Sequence, residues 1–598
     1  MYDETIRRSA SWAGFEPINF EHPAEKEVLD CFEINGRSPV SVILTGTAGD
    51  GKTHLCRQVW SKLGGSDEEW ASDDPYLQYE IPNSEYRIHF IRDLSGWAPQ
   101  QGLDWESDKI TLLRLFCTSI LQADSKDLFL VAANDGQLVE AWRRLPNFPE
   151  IEQARESFES LLVEDKRELE GISLKMFNLS RWSSSEIFDR AFDAFVEHPG
   201  WQACYDESEG DHSAFGTNCP IRKNYELLKT PIVRERLRSL IDLCHRNNLH
   251  LPIRQLLLLL TNAVLGHSDC NQDRLMRPVD VSRIIEAKTV SKASIYNNIF
   301  GGNLSENRRS SITVFDYLER FQIGYETTNR IDSILIFGED DEQLGGYFDQ
   351  YLKSDPFYGA DKIYYESRNQ YIEDAEDDTV ATKSFLELLA SQRRALFFKI
   401  PDSDAEELKL WDLTVFRYAG EYLKEIVSRM EHEKSIRSSI KHRLIKGLNR
   451  IFAGMFVETE RELLLTTSGH YSQSKISRIL KDRISSQLKN GEQVAIEGDS
   501  NGKILFNVCF DPETVESLEL NLVRYEFLSR VAEEGALPAN FSKECYEDIL
   551  AFKSRLLAVH ELRRQTDDNS DDDDIITLKL IEVSEQGSLD DGFIEIRT

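Results

Sequence analysis

Short apolar runs, set between polar stretches of helical period, fill the first third of the chain. Val42, Ile43 and Leu44 form the first run, and His54 to Leu63 after it has helical spacing. Tyr76 to Ile81 and Tyr86 to Ile91 read as two further strands, and Lys109 to Gln122 as an amphipathic helix. Leu128 to Ala133 reads as a buried strand, and Ile172 to Leu179 closes the series. Strands alternating with helices predict an α/β sheet that takes its ligand at the carboxyl ends of the strands. A lead-in precedes it, with helical spacing over Pro23 to Phe32 and a turn from Asn35 to Pro39.

From Ser184 the period becomes helical, with helices expected at Ile187 to Val196, through Arg238 to Cys244 and at Leu251 to Leu265. Further helices are expected at Phe315 to Gly324, Asp340 to Leu352, Ser384 to Phe398 and Trp411 to Met430, and then over two basic stretches. Glu462 to Thr467 and Glu492 to Phe510 carry strand text, and Leu518 to Glu534 and Glu544 to Arg564 read as helices. Thr566 to Asp574 is an acidic linker, and Ile575 to Val583 with Phe593 to Ile596 predicts a terminal hairpin. The expected organisation is an α/β core over 1–183, a helical lid over 184–300, a helical middle over 301–430, an α+β region with basic helices over 431–565, the linker at 566–574 and a β hairpin at 575–598.

One stretch changes this from a fold class to a chemistry. Gly46-Thr47-Ala48-Gly49-Asp50-Gly51-Lys52-Thr53 fills every fixed position of G-x-x-x-x-G-K-[ST], the phosphate-binding P-loop, and stands between the first strand and a helix that opens at His54. Glycines let successive N–H groups turn inward on an anion, and the helix N-terminus adds partial positive charge. Lys52 is expected to reach the β- and γ-phosphates of ATP, and the Thr53 hydroxyl to ligate Mg²⁺. The strand Tyr86 to Ile91 ends in Arg92-Asp93-Leu94, which makes Asp93 the candidate metal-organising acid. The residue after it is leucine, so the neighbouring acid that many ATPases use on the attacking water is missing from that place. Leu128 to Ala133 ends in Asn134-Asp135-Gly136. Asn134 resembles the sensor-1 residue of AAA+-type ATPases, and Asp135 is either a further metal or water contact or part of a turn. The rival assignment makes Asp135 the metal acid. Arg254 opens the helix after His250-Leu251-Pro252 and resembles a sensor-2 arginine reaching over the nucleotide, while Arg181 at the end of the last strand is a weaker phosphate candidate. The lead-in either lines the nucleotide pocket or packs at the surface of the core. Cys204, His212 and Cys219 raise zinc, but their spacing fits no standard site.

The formal net charge is −34, against a whole surface that binds nucleic acid. Local exceptions are Arg437, Lys441, Arg443, Lys446 and Arg450, with Lys434 and no acid among them, and then Lys475, Arg478, Lys481 and Arg483, read as a second basic helix. Either offers a face to phosphate backbone or an acidic partner, or pairs with acids elsewhere; Tyr471 beside the second is a candidate for base stacking. A length of 598 residues suggests about three or four folding units at roughly 150 each. The 9 cysteines are scattered, as free thiols in a reducing cytoplasm are, and neither a leader nor a membrane-length apolar run is visible.

GTAGDGKTHL at 46–55, RDLS at 92–95, VAANDGQL at 131–138, CPIRKN at 219–224 and HLPIRQ at 250–255 together resemble a family of bacterial P-loop ATPases from DNA-modification and antiviral defence clusters, the ATPase subunits of phosphorothioation-dependent restriction systems of the DptF type. The resemblance covers roughly the first 270 residues. It implies an AAA+ or STAND-like core, ATP and Mg²⁺ as cofactors, and action on foreign DNA as a homo-oligomer or with other defence-system proteins, a nuclease among them. The alternative from the same residues is an ATP-gated scaffold with little turnover that assembles a protein effector.

Overall fold

The computed structural model describes residues 14–33, 38–72, 74–99, 104–122, 125–208, 215–271, 274–373, 380–466, 477–499, 502–535, 542–567, 575–583 and 589–597. It divides into two compact units.

The first unit comprises Met1–His245, Leu249–Arg320 and Ile334–Lys399. In chain order its sheet region runs α1 (Glu25–Asp30), β1 (Ser41–Thr45), α2 (Lys52–Leu63), β2 (Tyr76–Glu80), β3 (Arg87–Ile91), α3 (Ser107–Leu121), β4 (Asp127–Ala132), α4 (Asp135–Arg143), α5 (Pro149–Val163) and β5 (Leu174–Asn178). The five strands lie in the order β2-β3-β4-β1-β5. All neighbours are parallel except β2, which pairs antiparallel with β3 at the edge. A parallel strand covered on both faces needs a continuous apolar run, and all five residues of β1 are buried. Alternation sends successive residues to opposite layers. Ile43, Ile91, Phe129 and Val131 pack with Phe116, Trp142 and Phe158 of α3, α4 and α5. Val42, Leu44, Phe90 and Leu130 pack with Val28 of α1 and with Leu55, Val59 and Trp60 of α2.

This order places a switch point at β1. The chain leaves β1 through α2, on one face, for the far side of β4. It returns to β4 and then crosses beneath β1, by α4 and α5 on the other face, to β5. Connections that diverge from neighbouring strands open a crevice at their carboxyl ends, where open α/β sheets bind ligands. Residues 46–51 lie at that end of β1.

The same unit continues as helices, including α6 (Ser184–Val196), α7 (Pro220–Leu228), α8 (Pro231–Arg246), α9 (Ile253–Leu265), α10 (Lys362–Glu373) and α11 (Val380–Lys399). Buried Leu256, Leu259, Leu260 and Ala263 of α9 face inward, and α9 packs against α6 and α7. Buried amides tie the bundle together: Asn224 donates to Val264 O at 3.1 Å and Ala293 O at 2.8 Å, and Asn262 donates to Asn298 O at 2.7 Å. The boundaries expected at 183 and 300 both fall inside this one unit. The helix expected over Asp340 to Leu352 forms over its second half, where Gly345–Phe348 runs directly into the π-helical Asp349–Lys353, while its start is a separate short turn at Gly338–Asp340.

The second unit comprises Arg246–Asn248, Phe321–Ser333 and Ile400–Thr598, so the boundary expected at 430 falls inside it. It holds α12 (Ser438–Ala453), β6 (Glu462–Thr466), β7 (Ser477–Ser485), β8 (Gln493–Gly498), β9 (Ile504–Cys509), β10 (Val515–Glu519), α13 (Leu522–Glu533), α14 (Ser542–Asp567), β11 (Ile575–Val583) and β12 (Leu589–Arg597). One sheet is β12-β11-β7-β6 and the other β10-β9-β8. The expected terminal hairpin forms, and β11 also pairs with β7, so the hairpin completes a sheet begun at Glu462. The second basic helix is corrected to a strand: Arg478, Lys481 and Arg483 lie on β7, where Leu480 and Ile484 point inward in period two. The single helix expected over Trp411 to Met430 is interrupted once: a short turn at Leu410–Leu413 is followed, after Thr414 to Tyr418, by a continuous helical run through Ala419–Glu421, Tyr422–Val427 and Ser428–Glu431, whose middle part is widened to π-helix. Tyr471, Lys475, His212 and most of the acidic linker lie outside the described residues. Among the described residues no helix is long and apolar enough to cross a membrane.

Candidate functional site

The loop from Gly46 to Gly51 is shaped by its glycines. Gly46, Gly49 and Gly51 take φ of 125°, 101° and 86°, values that side-chain-bearing residues rarely adopt. A Cβ on Gly46 would also stand 2.7 Å from Asp50 Oδ2. Gly46→Ala is therefore expected to destabilise the folded protein by about 1–3 kcal/mol, read as a lower melting temperature.

The consequence of this path is a set of open donors. The backbone N–H groups of Gly49, Gly51, Lys52 and Thr53 make no hydrogen bond to the described residues, while Leu55 N–H, two residues further on, returns to Gly51 O at 2.8 Å. They stand at the start of a helix of twelve residues, and open N–H groups in such a place are the arrangement by which proteins in general take up anions. The Lys52 ammonium bridges the loop, donating to Gly46 O at 3.0 Å and Thr47 O at 2.7 Å. Burial lowers its pKa, against the opposing charges of Asp50, Asp135 and Asp93. The donor set, a cation and open N–H groups, suits a phosphate chain.

The neighbouring acids divide their work. The Thr53 hydroxyl donates to Arg92 O at 3.3 Å, which places the end of β3 beside the start of α2. Asp93 follows, capping the turn Leu94–Trp97 by accepting from Ser95 N at 3.0 Å and from the Ser95 hydroxyl. Arg92 is wholly buried and its guanidinium donates to the carbonyls of Trp70, Ser72 and Asp74, fixing that strand end. Asp135 instead accepts from Gly46 N at 3.1 Å and so anchors the entry to the loop from β4. Asn134 caps α4 with its backbone, and its side chain makes no capping bond. Of the two acids, Asp93 is the one joined to Thr53 through its neighbour. Thr53 and Asp93 therefore lie near one another and are residue types that could hold a divalent ion. Among the described residues no group of three or more His, Cys, Asp or Glu is placed to hold a metal on its own.

Three distant residues meet at the loop. Arg254 N donates to Gly49 O at 3.3 Å, so the start of α9 sits directly on the glycines. Ser180, beyond β5, accepts from Thr47 N at 3.0 Å, and His250 donates from Nε2 to Asp50 Oδ1 at 2.6 Å. Neither Ser180 nor His250 is given a role by the sequence, although His250 opens the stretch HLPIRQ at 250–255. The available signal was Asp50 itself: a carboxylate inside an anion-binding loop requires donors of its own. Burial brings the pKa of His22 down to about 4 against the charge of Asp50, and His54, next after Thr53 on α2, adds a smaller depression. Arg181 pairs with Asp165 at 3.1 Å.

The basic residues of α12, in the second unit, are engaged within the fold. Arg443 pairs with Glu421, donates to Tyr525 OH at 2.8 Å and stands 4.8 Å over the ring of Tyr418. Arg450 donates to Val531 O and Ala532 O, both at 2.8 Å, and shares Glu458 with Lys446. Lys441 donates to Ser486 O and Val494 O, and burial lowers its pKa. Arg437, the most exposed of the five, pairs with Glu425 at 3.0 Å. On β7, Arg483 pairs with Glu462 and Asp591. No family model matches the chain, and no curated protein or solved structure matches it, so the geometry itself is the ground for a functional reading.

Proposed function

We propose that the chain is an ATP-binding and ATP-hydrolysing protein of P-loop type, with Mg-ATP on the loop 46–53, and that it serves as a subunit of a bacterial defence or DNA-restriction complex. The observation that carries the nucleotide is the set of four open N–H groups at Gly49, Gly51, Lys52 and Thr53, with the Lys52 ammonium beside them. ATP would supply the γ-phosphate, and Mg²⁺ the charge neutralisation on it. The residues of the chain then have distinct tasks: Lys52 leaves two carbonyls for phosphate oxygens, Thr53 and Asp93 orient the metal, and the Asn134 amide, uncommitted to its helix, orients the attacking water. The complex, its DNA and its partner proteins come from the family resemblance.

A second reading, an ATP-gated scaffold with little turnover, is favoured by one observation. The position after Asp93 is a wholly buried leucine, Leu94, so no acid stands there to polarise water. The deciding experiment is turnover of Mg-ATP by the full-length protein with and without double-stranded DNA. Turnover that rises with DNA supports the first reading, and tight binding without turnover supports the second. A protein that binds no ATP defeats both. Asp93→Asn is expected to raise the Mg²⁺ needed for half-maximal turnover by about tenfold and to leave metal-free nucleotide binding unchanged, measured by titrating Mg²⁺ at fixed ATP.

A further inference from the structure

Asp50 is a carboxylate with 2% side-chain exposure in a loop otherwise arranged for anions. A buried charge is kept ionised only by donors and opposite charge. Burial alone would raise its pKa; the hydrogen bond and charge of His250, the Ser180 hydroxyl and the charge of Lys52 together hold it below the usual carboxylate range. Its contacts reach three separate stretches. Oδ2 accepts from Thr47 N at 2.6 Å, from the Thr47 hydroxyl at 3.1 Å and from the Ser180 hydroxyl at 2.8 Å. Oδ1 accepts from His250 Nε2 at 2.6 Å. None of the four open N–H groups donates to it, so the carboxylate braces the loop without taking the place of a phosphate.

The histidine is committed to this one task. Its bond to Asp50 is the only hydrogen bond the ring makes among the described residues, and Nδ1 is buried with no partner. The segment that follows closes on the same loop. Arg254 N meets Gly49 O, and Ile253 Cδ1 stands 3.0 Å from where a Cβ on Gly51 would be. The helix that these residues open, α9, runs from Ile253 to Leu265.

We propose that His250 is a positioning residue for the phosphate loop: by donating to Asp50 it holds the loop in the form whose N–H groups face a nucleoside triphosphate, and ties that form to the start of α9. This rests on the reading of the loop as a nucleotide site. The tie is mutual, so the orientation of the His250–Arg254 segment and the affinity of the loop depend on each other.

The test is equilibrium binding of Mg-ATP to the full-length protein and to His250→Leu, His250→Gln, Asp50→Asn, the double variant Asp50→Asn/His250→Leu, and Lys52→Ala as control. Glutamine keeps an N–H donor near the position of Nε2, and leucine keeps bulk without a donor. His250→Leu and Asp50→Asn are each expected to weaken binding about tenfold, the scale of one charge-assisted hydrogen bond. His250→Gln is expected to stay within about threefold of the parent, and the double variant to be no weaker than the singles, because both remove the same bond. A merely structural role would lower the melting temperature of these variants and leave Mg-ATP affinity, measured well below melting, at the parental value. If Lys52→Ala abolishes binding while His250→Leu, with unchanged melting temperature, binds as the parent does, the inference falls and the nucleotide site stands. If His250→Leu does not fold, a glutamine variant that folds with a tenfold loss overturns the inference, and one with parental affinity supports it. If the parent binds no ATP, both fall together.

Discussion

Lys52→Ala is expected to weaken Mg-ATP binding by at least about a hundredfold, near 2.7 kcal/mol, and to bring turnover to background. Lys52 Nζ is held by two loop carbonyls, Gly46 O and Thr47 O, amid the charges of Asp50, Asp93 and Asp135. Exchanging neutral carbonyl acceptors for ionised phosphate oxygens strengthens each bond, and hydrogen bonds to charged groups contribute about 1.5–3 kcal/mol apiece. Alanine removes the cation and leaves the nearby charges of Asp50, Asp135 and Asp93 without it, so repulsion of the incoming phosphates adds to the lost attraction. Thermal shift gives the sharpest comparison. A ligand at one hundred times its Kd stabilises a fold by about 2.7 kcal/mol, so saturating Mg-ATP should raise the melting temperature of the parent and leave that of Lys52→Ala unmoved. Equal shifts in the two proteins would remove the ground for a nucleotide on this loop. A lower melting temperature of the variant without ligand is expected too, because Lys52 also closes the loop on itself.

The features of this site that a linear reading reveals are those carried by local spacing. Glycines at fixed intervals before Lys52 and Thr53 announce the loop, because each must take a positive φ that other residues resist. The order of apolar runs announces the α/β layer, and the strand spans at Val42, Phe90 and Leu130 lie where the runs stand. What spacing does not carry is a partner chosen from far along the chain. Asp50 finds Ser180 and His250 at separations of 130 and 200 residues; HLPIRQ at 250–255 marks the segment of His250, but no local spacing links it or Ser180 to Asp50. The same limit explains β7. Arg478 and Lys481 are three apart, as on a helix face, but the stretch forms a strand because β6 and β11 supply hydrogen-bond partners from Glu462–Thr466 and Ile575–Val583. The break in the helix expected at Trp411 has a local cause that composition hides. The Thr414 hydroxyl accepts from Phe416 N at 2.9 Å and offers the backbone an alternative to the helical bond. The stripe of cations on α12 was legible as a stripe, but its use was not: carbonyls of α13 and carboxylates of Glu421, Glu425 and Glu458 take up its donors.

Glu526→Ala should be the most damaging single truncation in the second unit, at about 3–5 kcal/mol. Glu526 lies on α13 and is wholly buried. Oε1 accepts from Arg417 N at 3.0 Å and from Arg530 Nε at 2.6 Å, and Oε2 accepts from Tyr418 N at 2.8 Å. Burial raises its pKa against the pull of these donors, so the pairing compensates a costly desolvation and adds little beyond that. The asymmetry decides the outcome: removing the carboxylate strands a guanidinium and two backbone N–H groups in the interior, and each unsatisfied buried group costs about 1–3 kcal/mol. Arg530 keeps one bond, to Val415 O at 2.6 Å, which does not neutralise it. Against a domain stability of about 5–15 kcal/mol, such a loss leaves little margin. Glu526→Gln keeps one acceptor and turns its NH₂ toward a donor, so it should fall between the parent and alanine. Hydrogen exchange read by mass spectrometry separates this effect from general unfolding. Peptides over 415–420 and 522–533 should lose protection in Glu526→Ala, with peptides over 41–63 as the internal reference. Parental protection at 415–420 in the alanine variant would mean that Tyr418 and Arg417 do not depend on this carboxylate, and that α13 is held by its apolar face alone.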